Sequence, residues 1–145
     1  MKRLMDMALL GLASVLGSLF TGCASSPTSN TENALVHTSV CQLVANPEKF
    51  AGSRVHLKSM VRPSAHSVIL LYDDNCKDAV VVLDVPSNLE GAPEIEKMMN
   101  LVWEGYPGPR ASNVTIDLYG VYRWRKNEVP SRYIVAESVI DTAVR

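Results

Sequence analysis

Charge of one sign is not in excess in this sequence: 14 Lys and Arg stand against 15 Asp and Glu, a formal net charge of −1. Such a balance leaves no electrostatic footprint for a polyanion. A binder of single-stranded nucleic acid needs exposed rings on which bases stack, whereas the segments Ser67 to Tyr72 and Ala79 to Val85 offer only Tyr72. Nucleic acid is therefore not an expected partner. Catalytic and metal signatures are missing as well. His37, His56 and His66 show no paired ligand spacing, and the chain has no Cys-x-x-Cys, no phosphate-cradling glycine loop and no Ser/His/Asp order. The expectation is no metal, no cofactor and no catalytic residue.

Room for several domains is lacking too, because 145 residues supply one core of ordinary size. Hydrophobic residues at 47% and charged residues at 20% are globular proportions and exclude disorder of the chain as a whole. The one long apolar run is Met7 to Phe20, interrupted only by small residues such as Gly11 and Ser14 and preceded by Met1-Lys2-Arg3. At ~1.5 Å per residue this run reaches roughly 21 Å, short of a ~30 Å hydrocarbon core, so it reads as an export signal and not as a permanent span. A buried core helix fits poorly with a run apolar on every face.

The run closes on Phe20-Thr21-Gly22-Cys23, which resembles the lipobox of bacterial lipoproteins. In that family small residues precede a cysteine that becomes the lipidated mature N-terminus. This sequence departs from the pattern at Phe20, where an aliphatic residue is usual; an ordinary signal peptide without lipid is the alternative. The resemblance implies that residues 1–22 are removed and that Cys23 carries a diacylglyceryl group and a further acyl chain, enough for stable membrane anchoring. Without Lys2, Arg3 and Asp6, the count becomes 12 basic against 14 acidic residues. Ala24 and Ser25 lack the aspartate associated with inner-membrane retention, so the expected location is the outer membrane facing the periplasm. Ala24 to Asn33 is small and polar throughout and reads as a flexible tether. The domain boundaries that follow are 1–22, signal; 23–37, lipidated cysteine and tether; and 38–145, the folded domain.

With Cys23 assigned to lipid, Cys41 and Cys76 remain as an even pair in an oxidising compartment, where a disulfide is expected. Two reduced, buried thiols or a redox couple are the competing arrangements, and no Cys-x-x-Cys motif supports the couple.

Along the rest of the chain, Ser39 to Ala45 has the three-and-four apolar spacing of a short helix that ends at Asn46-Pro47. From Arg54 to Arg62, Val55, Leu57, Ser59 and Val61 alternate with His56, Lys58, Met60 and Arg62, the period of a strand with one buried face. Ser67 to Tyr72 and Ala79 to Val85 read as two further apolar strands. Ala92-Pro93-Glu94 opens a helix whose stripe is Ile95, Met98, Met99 and Val102, and Gly105 to Pro109 stops it. Val114 to Trp124 alternates again, Lys126 to Ser131 is a turn, and Tyr133 to Ile140 is the last strand.

Three strands, a helix and two strands, with a short helix in front, make a mainly β (α+β) chain. The order resembles the oligonucleotide/oligosaccharide-binding (OB) fold, a five-stranded barrel with a helix between its third and fourth strands. The stretch Asn46 to Leu57 is similar to the entry into strand one of small exported barrels of this kind. A split α+β sandwich has the same order of elements.

Candidate binding residues are the outward His56, Lys58 and Arg62 of the first strand, and Arg123, Trp124 and Arg125 near the end of the fourth. Each group has a simpler reading. The first is a solvated strand face. In the second, parity buries Tyr122 and Trp124 and turns the arginines outward, unless a bulge at Gly120 reverses the facing. Trp103 at the helix end reads as cover for the barrel mouth. Asp73, Asp74, Asn75 and Asp78 share one loop but lack the glycine and distal glutamate of a calcium-binding hand and are ordinary turn formers. Asn113-Val114-Thr115 matches a glycosylation acceptor, a chance match beside a lipobox leader. The function expected from these features is a non-enzymatic envelope module that binds or assembles with another envelope protein or a glycan, and is tied to the membrane through Cys23. The alternatives are a cell-wall enzyme using Asp73, Asp74 or Glu104, and a sensor of a small ligand or metal.

Overall fold

The structure is a computed structural model that describes residues 34–104, 106 and 114–144. Cys23, the leader, the tether, Asn113 and all but Tyr106 of the segment 105–109 lie outside the described residues. In chain order the elements are β1 (Val36–His37), α1 (Val40–Ala45), α2 (Pro47–Phe50), β2 (Arg54–Pro63), β3 (Ile69–Tyr72), β4 (Val80–Asp84), α3 (Pro93–Trp103), β5 (Val114–Trp124) and β6 (Arg132–Val144).

Ser39 starts α1, its side chain accepting a hydrogen bond from the Gln42 amide, as a helix N-cap does. Asn46 ends that helix, and Pro47, in the position where its missing N–H costs nothing, begins α2. Gly52 then turns the chain with a φ of 80°, a left-handed conformation that suits glycine. Along β2 the alternation holds: Val55, Leu57, Ser59 and Val61 are buried while Arg54, Lys58 and Arg62 are exposed.

The sheet runs β2-β3-β4-β6-β5 and closes through pairing of β5 back onto β2, with β1 added parallel to β2. The β4–β6 pairing is parallel, whereas the other four pairings of the ring are antiparallel. This is the OB-fold-like five-stranded barrel, with α3 between its third and fourth strands. Ile95, Met98 and Val102 of α3 are buried and face β2, β5 and β6 across one end of the barrel. Leu43 and Val40 of α1 join the same core, and Cys41 is bonded to Cys76 in the turn after β3. Trp103 is half-buried against the core, and its ring stands edge-on to Tyr106 at 5.4 Å. Among the described residues, no helix is long and apolar enough to cross a membrane.

Two differences from the sequence reading have the same cause. The last strand continues four residues past Ile140, to Val144. Its register against β5 slips twice, so that Glu137 and Ile140 have no opposite residue. Each slip inverts parity, and the buried positions become Ile134, Ala136, Val139 and Thr142, a spacing that no strict alternation describes. The extra residues lie on β6, so the facing of β5 continues unreversed through Gly120: Tyr122 is buried, Trp124 half-buried and Arg123 exposed. Gly120 is required by proximity, because a Cβ there would lie 2.5 Å from the Ile134 side chain and 2.6 Å from the Val135 carbonyl oxygen. Thr115, on the outward parity of β5, is also buried. At the other end, Val36 and His37 pair with Val55 and His56, so the first barrel contact precedes the expected domain boundary at residue 38 by two residues.

Candidate functional site

Three loops and one helix face converge on an open groove of about 1260 Å³ where β3 starts and β4 ends. The first loop, Ser64 to Val68, is closed by a hydrogen bond from the Ser64 amide to the Val68 carbonyl at 2.8 Å. The second leaves β4 at Asp84 and includes Glu90. The third, between β5 and β6, is fastened by the Arg125 amide donating to the Ser131 carbonyl at 2.8 Å and by the Arg125–Glu128 ion pair at 2.5 Å. Val129 stands at the tip of that loop and is fully exposed. The floor is aliphatic, with Val68, Val82 and Met99, and Tyr133 lines one side beneath Arg125, whose guanidinium lies 5.7 Å from the ring. Asp84, Glu90, Glu96 and Glu128 edge the groove, and among the described residues Arg125 is the one cation that lines it.

A second polar cluster occupies β1, β2, β5 and β6 and shares no residue with the groove. Parallel pairing sets His37 beside His56, and antiparallel pairing sets Tyr119 on the other side of His56. His56 Nδ1 is 2.8 Å from His37 Nδ1, and His56 Nε2 is 2.6 Å from Asp117 Oδ1. The His56 and Tyr119 rings lie 4.6 Å apart, and Arg54, with its guanidinium 5.9 Å from the Tyr119 ring, bonds Glu137 at 2.5 Å. An ionised carboxylate only accepts, so His56 Nε2–H donates to Asp117. A neutral ring with its proton on Nε2 accepts at Nδ1, and His37 therefore donates from its own Nδ1.

Nitrogen spectra at neutral pH should show His56 as the Nε2–H tautomer and His37 as the Nδ1–H tautomer, with Asp117→Ala abolishing the first preference. Mixed tautomers at both residues, unmoved by Asp117→Ala, would contradict the arrangement.

The candidate residues from the sequence thus separate. His56 belongs to the histidine–carboxylate cluster, Lys58 is exposed in register with Asp117, and Arg62 lies with its guanidinium 5.2 Å from the Tyr72 ring. Arg123 is exposed, Trp124 packs against the core, and Arg125 alone of the six reaches the groove. Asp73 caps the turn before Cys76, its side chain accepting from the Asn75 amide at 2.9 Å. Among the described residues, no group of three or more His, Cys, Asp or Glu side chains could hold a metal ion. His37 and the groove residues Glu96, Met99, Val129 and Tyr133 were not legible as site residues. A two-residue strand has no period to detect, and the groove is assembled from distant segments.

No protein-family model and no curated protein matches the chain.

Proposed function

We propose that the chain is an envelope lipoprotein, anchored through lipid on Cys23 to the outer membrane and facing the periplasm. Its barrel acts as a non-enzymatic binding or assembly module for another envelope protein or a glycan. The observation that carries this reading is the groove: a preformed concavity with an aliphatic floor and a charged edge, on the face where barrels of this fold hold extended ligands. Fold alone does not assign function, and the groove's own chemistry supports a binder. Its edge carboxylates are exposed, and one of them, Glu128, is paired with Arg125. The acidic edge also opposes phosphate backbones, which bind through Lys and Arg. The Cys41–Cys76 bond supports an oxidising compartment, and with it the export signal and lipobox.

Fatty-acid labelling of cells should mark the wild-type chain and not Cys23→Ser; equal labelling of both would remove the anchor. A photo-crosslinker at Val129 should capture an envelope protein or a glycan in intact cells. Hydrolytic turnover lost on substitution of Asp73, Asp74 or Glu104 would replace this reading with an enzymatic one.

A further inference from the structure

We propose that the groove receives an extended polypeptide segment in which basic residues alternate with aliphatic ones. This rests on the reading of the barrel as a binding module and narrows its partner to one chemistry.

The size of the groove favours a polymer. At about 1260 Å³, the open groove exceeds the ~300–1,000 Å³ usual for small-molecule pockets, so it suits a length of polymer.

The charge of the groove favours a basic one. Asp84, Glu90, Glu96 and Glu128 come from the end of β4, the loop after it, α3 and the β5–β6 loop, and so approach the groove from several sides. Against these four carboxylates the lining offers, among the described residues, one guanidinium, Arg125, and that group is bound to Glu128. A ring of exposed acids attracts ammonium and guanidinium groups and repels phosphate, sulfate and uronate polymers.

The character of the floor favours aliphatic side chains. A neutral glycan is held by stacking on aromatic faces and by a dense set of hydrogen bonds. Here the described lining residues include one aromatic ring, Tyr133, with Arg125 near its face. Val68, Val82 and Met99 instead present aliphatic surface, and Val129 projects at the lip with 101% relative exposure. Such surface rewards burial of aliphatic side chains, and a methionine adapts to varied ones. Acids at the edge and aliphatics at the floor match a strand-like peptide, whose successive side chains point in opposite directions. The tether does not supply the occupant, because Ala24 to Asn33 contains no basic residue and carries Glu32.

The test uses the mature chain as cells produce it, held in detergent. It is titrated with a peptide of lysine, valine and serine, with the same peptide carrying glutamate for lysine, and with a peptidoglycan-derived oligosaccharide, while amide shifts are followed. The lysine peptide should shift Glu96, Val129 and Tyr133. Its affinity should fall about tenfold in Asp84→Lys/Glu96→Lys, and should also fall in high salt. The glutamate peptide should leave those signals in place. Equal binding of both peptides, or lysine-peptide shifts confined to the opposite face, would overturn the proposal. If the oligosaccharide alone binds the groove, the peptide proposal fails while the binding-module reading stands. If nothing shifts the groove residues, both fail.

Discussion

Replacing Cys41 and Cys76 together by serine should destabilise the domain by about 4 kcal/mol. The bridge joins residues 35 apart, and the loop-closure entropy it removes from the unfolded chain corresponds to that figure at ambient temperature. A domain of this size is stable by about 5–15 kcal/mol, so the loss is a large fraction of the whole. The location adds to the effect. The bridge fastens α1 to the turn between β3 and β4, and α1 is a six-residue helix without an acid in its first turn. So short a helix has no stability of its own; it depends on Val40 and Leu43, both fully buried, and on the covalent tie. Urea titration of the oxidised wild type, the reduced wild type and the double variant should give a high midpoint for the first and similar low midpoints for the other two. Coincidence of all three would show that the bridge contributes nothing to stability.

The parts of this fold that were legible in advance are those where one period runs without interruption. On β2 every second residue from Val55 to Val61 is buried, and the stripe Ile95, Met98 and Val102 on α3 follows the helical turn. The order of elements then leaves few ways to close a sheet, and the barrel is the one adopted. Legibility stops where the period breaks or never develops. The bulges at Glu137 and Ile140 move the buried positions of β6 to a spacing of three, which reads in sequence as the end of a strand. Val36 and His37 are too few to show any pattern, yet their parallel pairing brings together two histidines 19 residues apart. The groove was hidden for a related reason. Glu90, Glu96, Glu128 and Val129 each read as unremarkable loop or helix surface, and only the closing of β5 on β2 and of β6 on β4 sets those segments around one space.

Truncating Tyr122 to alanine should cost a comparable amount, about 3–5 kcal/mol, the range for removing a large buried ring. Tyr122 is fully buried in the core, and its hydroxyl donates to the Leu43 carbonyl at 3.2 Å. That carbonyl lies in the last turn of α1, where backbone oxygens have no partner within the helix. The phenol therefore supplies a bond that the short helix cannot make for itself. Tyr122→Phe keeps the ring and loses this bond, for a smaller cost of about 1 kcal/mol. The wild type and Tyr122→Phe also differ in their response to alkali. Burial pushes the Tyr122 hydroxyl above its ordinary value, an effect only partly opposed by the positive charge of Arg132. The unfolded chain thus releases this proton first, near pH ~10, while the folded chain retains it. Stability from the protonated phenol is complete below that pH and declines as pH rises towards the folded value. Thermal midpoints of the wild type should fall more steeply above pH ~10 than those of Tyr122→Phe, which has no proton to lose at this position. Parallel declines in the two proteins would place the alkaline sensitivity elsewhere and leave the phenol with a packing role alone.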